Sequence, residues 1–290
     1  MEAGELRGIF VPVVAPFRPD GELDTDSYRR YADRLLGEDI QGVVVNGTTG
    51  EAPTVEQDEA ARLMEITKER LAGRRLPIAM GTGTNDTRST VKRTERAGEL
   101  GADAALVVVP YYSRPSQEGI LEHFRKAAEV GVPVIAYEIP ARTGVRLSVE
   151  TAKAILDLDG VIGMKDSTGG TELVRELAGP GSKPVLAGDD ASFFSMLEAG
   201  AAGGILASAN VRTAEFAAVW RLFLAGERRE AEEAFDRLLG AIRLLFREPN
   251  PAPLKRLLAL QGAIASDALR LPMTPVSERL GRELESMLFD

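Results

Sequence analysis

Eight short apolar runs, each followed by an amphipathic stretch with helical periodicity, constrain this 290-residue chain more than any other feature. The runs are Ile9 to Val14, Gly42 to Val45, Pro77 to Met80, Ala104 to Val109, Val134 to Tyr137, Val161 to Met164, Val185 to Ala187 and Gly203 to Ala207. They are rich in Val, Ile and Ala at successive positions, so each strand must bury both faces, as strands do in parallel sheets covered by helices. Helical spacing fills the gaps at about Thr25 to Leu36, Val55 to Leu71, Thr87 to Leu100, Gln117 to Val130 and Val149 to Leu156. Such a repetition predicts an α/β fold closed on itself, a (β/α)8 TIM barrel. A doubly wound open sheet would place a Gly-rich phosphate loop after its first strand, where this chain reads Ala15-Pro16-Phe17-Arg18-Pro19. Beyond Val211 the pattern turns helical and rich in Ala, Leu and Arg, more than an eighth barrel helix needs. The expected division is a catalytic barrel over residues 1–225 and a helical C-terminal appendage over 226–290, packed on the barrel because no low-complexity linker separates them.

Composition removes several classes of function. There is no Cys, which excludes a disulfide scaffold and thiolate metal sites. The single His, His123, cannot furnish the usual imidazole set of a zinc site, lacks a nucleophile elbow to serve, and reads as structural. A net charge of -9 argues against a nucleic-acid partner, whose phosphates demand a basic surface. No apolar run is long enough to span a bilayer, and Met1 to Arg7 carries two glutamates and no apolar core of a signal peptide. A cytoplasmic protein that needs no metal and no cofactor is the expectation.

In a barrel of this kind reactive groups gather at the carboxyl ends of the strands, so the residues just after each run are informative. Val161-Ile162-Gly163-Met164 leads into Lys165-Asp166-Ser167-Thr168. Desolvation at the end of a buried strand favours the neutral amine, the form that attacks a carbonyl to make an imine. Alone, a strand-end lysine leaning into water is the commoner case. Its neighbours change the balance. Asn46-Gly47-Thr48-Thr49-Gly50-Glu51 comes after the second run and offers backbone N–H groups and hydroxyls to an anion such as a carboxylate. Pro110-Tyr111-Tyr112 comes after the fourth, Tyr137 ends the fifth, and Arg142 lies in the next loop. A phenol can carry protons, and a guanidinium can grip a carboxylate through two parallel bonds.

With Gly163-Met164-Lys165-Asp166, Gly188-Asp189-Asp190 and Glu248-Pro249-Asn250-Pro251, these motifs resemble the dihydrodipicolinate synthase / N-acetylneuraminate lyase family of class I aldolases, in order, from about residue 6 to 287. The resemblance implies an imine between Lys165 and pyruvate, with Tyr137 donating and accepting protons. Thr49 would link Tyr137 to Tyr112, the latter supplied by a neighbouring subunit. Thr48 and Thr49 would bind the pyruvate carboxylate, and Gly188 and Ile205 would line the site. Arg142 would hold the carboxylate of the second substrate, which favours the synthase branch and aspartate semialdehyde as that substrate. A homotetramer built as a dimer of dimers is implied as well. Rival readings are another pyruvate-dependent aldolase of the family, cleaving a 2-keto-3-deoxy sugar acid or 4-hydroxy-2-oxoglutarate, or a silent keto-acid-binding barrel.

The strand-five loop departs from the usual synthase pattern, Asn-Val-Pro-Gly-Arg, at two places. Glu138 stands where Asn is usual, and Ala141 where Gly is usual. Strand alternation points Glu138 outward; facing inward, it would disfavour an acidic second substrate. Ala141 would narrow the loop's choices if its place needs a positive φ. The segment Ala52 to Ala60 lacks the histidines that line the allosteric site in some relatives, and Ser89 stands where those enzymes place a glutamate, although Asn85 and Tyr111 are kept, so feedback by lysine is expected to be weak or absent.

Overall fold

The computed structural model describes residues 1–288; Phe289 and Asp290, the end of the expected appendage, lie outside the described residues. The chain runs β1 (Gly8–Pro12), α1 (Thr25–Leu36), β2 (Gly42–Val45), α2 (Gln57–Leu71), β3 (Ile78–Gly81), α3 (Thr87–Glu99), β4 (Ala104–Val108) and α4 (Gln117–Ala128). It continues through β5 (Val134–Glu138), the single turn α5 (Pro140–Thr143), α6 (Val149–Asp157), β6 (Val161–Asp166), α7 (Glu172–Leu177), β7 (Val185–Ala187), α8 (Phe193–Glu198) and β8 (Gly203–Ile205). The helices α9 (Thr213–Leu224), α10 (Arg228–Leu245), α11 (Ala252–Leu260) and α12 (Glu278–Ser286) complete it. The eight strands form one closed parallel barrel in chain order, the (β/α)8 architecture expected from the sequence. Packing divides the chain into two compact units, residues 1–10 with 77–206 and residues 11–76 with 207–290.

In the first unit helix starts are set locally. Asp86, Ser116 and Ser148 each accept from the backbone N–H three residues on, satisfying an orphan donor at the starts of α3, α4 and α6. The strands are held in register by Val108↔Tyr137, Tyr137↔Lys165 and Lys165↔Leu186, so β4 to β7 share a common row. That row depends on one irregularity. Between β5 and β6 the pairing steps from Val134↔Val161 to Ile135↔Gly163, so Ile162 is an extra residue. A slip of one residue exchanges the two faces of a strand, so this bulge decides which side of the sheet Lys165 occupies. β6 also continues past the expected end at Met164 and takes Lys165 and Asp166 into the ladder. The barrel seam closes where β8 meets β1, with Gly8↔Gly203 as the first pair.

In the second unit buried hydroxyls tie helices together. Tyr28 and Thr67 share a hydrogen bond of 2.7 Å between α1 and α2. Tyr31 donates to Asn210, whose amide nitrogen in turn donates to Pro12 O at 3.0 Å and Ala207 O at 2.8 Å. α10 packs on α9, and α11 on α12. The C-terminal helices reach the N-terminal part of the unit through Lys255, which donates to Ala15 O at 2.9 Å.

Gly203 tests the closure. Its φ of +145° lies outside the range of L side chains, and a Cβ there would stand 2.1 Å from Gly8 O and 2.4 Å from Gly8 N, both backbone atoms with no room to yield. Gly203→Ala is expected to destabilise the protein by roughly 3 kcal/mol or more, read as a lowered urea midpoint at unchanged slope.

Candidate active site

Lys165 is the penultimate residue of β6 and is only 6% exposed. Its Nζ lies 4.2 Å from the ring centroid of Tyr137, its register partner on β5, so the two side chains stand on the same face of the sheet and touch. An ammonium over an aromatic face is stabilised by the ring quadrupole, and the contact sets the direction of a long, otherwise mobile side chain. Gly188, just past β7, explains itself by space. A Cβ there would lie 2.7 Å from Lys165 Cε and 2.1 Å from Ser167 Oγ, so the absent side chain is the volume the lysine occupies. Ile205 ends β8 and is buried beside Phe10, its partner on β1.

The loops after β4 and β5 carry the two more exposed residues. Tyr112 has a φ of +71° and its side chain is 89% exposed, a large aromatic held in a left-handed backbone and turned to solvent. Such a conformation is unfavourable for a bulky residue and persists only where the surroundings impose it. Arg142 lies in the single turn α5 and is exposed. Ala141 belongs to the same turn, and the positive φ of this loop falls instead on Gly144, at +74°. The Ala in place of Gly therefore strains nothing.

Glu138 also finds its place. It follows Tyr137 on β5, so alternation turns its side chain to the opposite face, as expected, yet it does not reach solvent: it is fully buried, and its Oε1 accepts the Leu147 N–H at 2.9 Å. His123 is structural, as expected. It is buried, shares a 3.0 Å hydrogen bond between Nδ1 and Thr87 Oγ1, and burial pushes its pKa down to about 4, leaving it neutral at pH 7.

In the second unit, Thr48 and Thr49 open a short 3-10 turn, Thr48–Gly50, between two non-glycine residues of positive φ, Asn46 at 58° and Glu51 at 53°. Thr49 is buried and its Oγ1 accepts from Asn250 Nδ2 at 3.1 Å. With its acceptor side so engaged, the hydroxyl has its own proton free to point elsewhere. Gly50 packs on the chain, since a Cβ there would be 3.0 Å from Val13 O. Glu51 closes the turn by pairing with Lys255, 2.7 Å from Nζ to Oε1, with both side chains almost wholly buried. The second oxygen of Glu51 accepts the Arg270 N–H at 3.2 Å. Arg270 in turn grips Glu59 through two bonds of 2.6 Å each and donates to Gly21 O and Thr54 O. The Phe17 ring receives both cations, Lys255 Nζ at 4.3 Å and Arg270 Cζ at 4.2 Å from its centroid. Burial lowers the Lys255 pKa, an effect opposed by the Glu51 carboxylate, whereas the Arg270 guanidinium lowers that of Glu59.

The model of the dihydrodipicolinate synthetase family matches residues 5–289. The chain belongs to this family. It is 36% identical over 287 residues to the 4-hydroxy-tetrahydrodipicolinate synthase of Methanothrix thermoacetophila, covering 98% of this chain and 96% of that one. The enzyme of the same name from Thermomicrobium roseum is 39% identical over 275 residues, or 94% of this chain and 90% of that one. Among solved structures, the chloride-inhibited dihydrodipicolinate synthase of Acinetobacter baumannii complexed with pyruvate superposes with a TM-score of 0.94 at 34% identity, covering 98% of each chain. A dihydrodipicolinate synthase variant described as monomeric gives a TM-score of 0.94 at 34% identity over 99% of this chain and 97% of that one.

Three residues escaped the sequence reading of this family member, Asn250 as the partner of Thr49 and Lys255 with Arg270 as the anchors of Glu51. Lys255 left a signal. It sits on α11 on the buried side with Leu254 and Leu258, while the helix's other cation, Arg256, is half-buried, and a cation on such a side needs a buried partner. Breaking the pair from one side leaves an uncompensated buried charge. Lys255→Met is expected to destabilise by about 3–5 kcal/mol in chemical denaturation, and the double variant with Glu51→Gln by clearly less than Lys255→Met alone.

Proposed function

We propose that this chain condenses pyruvate with L-aspartate 4-semialdehyde to 4-hydroxy-tetrahydrodipicolinate, in the route to diaminopimelate and lysine, through an imine on Lys165. The observation that carries the reading is the buried Lys165 side chain with its Nζ over the Tyr137 ring at the ends of adjacent strands, in a chain that belongs to the dihydrodipicolinate synthetase family. In this mechanism the Lys165 amine adds to the keto carbon of pyruvate and water leaves, giving the imine. Loss of a methyl proton makes an enamine, whose carbon forms the new bond to the aldehyde. The amino group of the second substrate then displaces Lys165, closing the ring and restoring the free amine. Tyr137, whose ring meets Lys165, is the proton carrier of these steps. Arg142 holds the carboxylate of the second substrate, and Thr48 and Thr49 hold that of pyruvate, with Gly188 and Ile205 lining the site. Preorganised charge of this kind acts where the transition state develops it.

Thr49 links Tyr137 to Tyr112 of a neighbouring copy in a proton relay. The strained backbone and nearly full exposure of Tyr112 support its use by a partner chain, and a homotetramer of two such dimers is the assembly we propose. Residues 1–225 supply the catalytic barrel and 226–290 the helical region that braces it. No helix among the described residues is long and apolar enough to cross a membrane, and a cytoplasmic place fits the route. The departure at Glu138 does not favour a different aldehyde, since its side chain leaves the face shared by Tyr137 and Lys165.

Pyruvate-dependent consumption of aspartate semialdehyde, coupled to an NADPH-dependent reductase, tests the reading directly. Lys165→Ala should keep the fold by circular dichroism, lose the adduct that borohydride traps with pyruvate, and lower kcat by about a thousandfold or more. Turnover surviving in that variant refutes the imine. A wild-type adduct without condensation refutes aspartate semialdehyde as the second substrate and points to another aldehyde.

A further inference from the structure

β5 and β6 end in two acids placed side by side. Glu138 and Asp166 are register partners, one step beyond the Tyr137↔Lys165 pair. The latter two side chains touch on one face, so the acids share the other. Both are fully buried. Each has one oxygen satisfied, Glu138 Oε1 by the Leu147 N–H and Asp166 Oδ1 by the Thr168 N–H, at 2.9 Å each. The remaining oxygens, Glu138 Oε2 and Asp166 Oδ2, are buried and make no hydrogen bond, although the Thr168 side chain favours the ionised form of Asp166. Neighbouring strands stand about 5 Å apart, so two ionised carboxylates here would repel in a poorly hydrated place and leave both oxygens unsatisfied. A single proton on Glu138 answers both deficits by donating from Oε2 to Oδ2.

Glu138 also closes a loop. Through Leu147 it fastens residues 139–147 back onto the end of β5, and this loop carries Arg142. Thr143 stiffens it from within, its hydroxyl bonding Val145 O at 2.9 Å, and Gln117 of α4 meets its far end at Arg146 O and Ser148 N. We propose that Glu138 and Asp166 share one proton and so clasp this loop, positioning Arg142, and that ionising both acids loosens it. The role of Arg142 in this statement rests on the function proposed above; the clasp itself does not. The charged groups acting on the pair are few. Exposed Arg146 favours ionisation of both acids, and Glu172, in the first turn of α7, opposes that of Asp166. Burial outweighs the Leu147 and Thr168 hydrogen bonds and Arg146, raising the pKa of Asp166 and pushing that of Glu138 from 4.5 up to about 7. Asp166 is the stronger acid by nature and has the Thr168 side chain as well as its N–H in support, whereas Glu138 has the Leu147 N–H alone, which leaves Glu138 as the proton holder.

The folded protein therefore binds a proton that the unfolded chain loses, so stability declines as pH rises from 4.5 to about 7 and the slope ends above that window. Glu138→Gln retains an acceptor for Leu147 and a permanent donor for Asp166. Asp166→Asn retains an acceptor for Thr168 and gives a permanent donor to an ionised Glu138. Deuterium exchange over residues 139–147, corrected for the intrinsic pH dependence, reads the clasp in the full chain without substrate. From about pH 6 to about pH 8.5 the wild-type loop should lose protection about fivefold to tenfold, whereas both amide variants stay flat. The KM for aspartate semialdehyde should rise over the same range in the wild type alone, with that for pyruvate steady. Flat exchange in the wild type, or an equal loss in wild type and amide variants, overturns the shared proton. Exchange as expected in a protein that does not condense the two substrates upholds the clasp and refutes the proposed function. If one amide variant fails to fold, the other decides alone.

Discussion

The register between β5 and β6 is the constraint on which the chemistry of this barrel depends. A parallel ladder offers only two faces, and each residue's face follows from its position in the pairing. The extra residue Ile162 shifts that pairing once, and from there Tyr137 meets Lys165 and Glu138 meets Asp166. One row becomes an amine over a phenol ring and the next becomes a pair of buried acids. Neither arrangement would survive a slip of one residue, because each side chain would then take the place of its neighbour. Gly163 shows how closely the bulge is packed, for a Cβ there would lie 2.5 Å from Leu6 Cδ2 and 2.6 Å from Pro184 O.

The second unit solves a different problem, that of holding a turn whose backbone is unfavourable. Glu51 adopts the left-handed conformation that bulky residues avoid, and Asn46, a residue that tolerates it better, adopts it at the opposite end of the threonine turn. Strain of this kind persists only when the surroundings overdetermine it. Here Glu51 is bound at both oxygens, by Lys255 and by the Arg270 backbone, and Arg270 is itself fixed by Glu59. A buried ion pair is a poor source of net stability compared with apolar packing. Its use here is geometric, since a carboxylate gripped from two directions cannot let the turn relax. The chain after residue 225 thus acts on the threonine turn directly, with Asn250 from the turn before α11, Lys255 from α11 and Arg270 from the loop after it.

Much of this was legible in the sequence because it stems from periodicity. Eight doubly apolar runs separated by helices admit few architectures, and placing Lys165, Tyr137, Thr49 and Arg142 after such runs is a consequence of the barrel rule. Strand ends were less legible. Periodicity alone stops β6 at Met164, since a lysine and an aspartate look like the start of a loop; in the structure the ring of Tyr137 and the Thr168 N–H give them partners that let the strand continue. Hidden altogether were contacts between segments far apart in the chain, such as Asn250 with Thr49 and Lys255 with Glu51. Local propensity carries no information about so distant a partner, and only the oddity of a lysine on an apolar helical face hinted at one.

The substitution at position 138 changes the nature of a contact more than its place. An asparagine, usual there in the synthase pattern, has an N–H to donate at any pH. A glutamate offers an equivalent donor only while it holds a proton, and its longer side chain also reaches the Leu147 amide. Exchanging the one for the other therefore sets beside Asp166 a donor that depends on ionisation, on the sheet face away from Lys165. Because the acids occupy the sheet face opposite the amine, the imine proposed on Lys165 is insulated from this change. The loop that bears Arg142 is fastened to Glu138 through Leu147, so it is there that the proposed clasp acts.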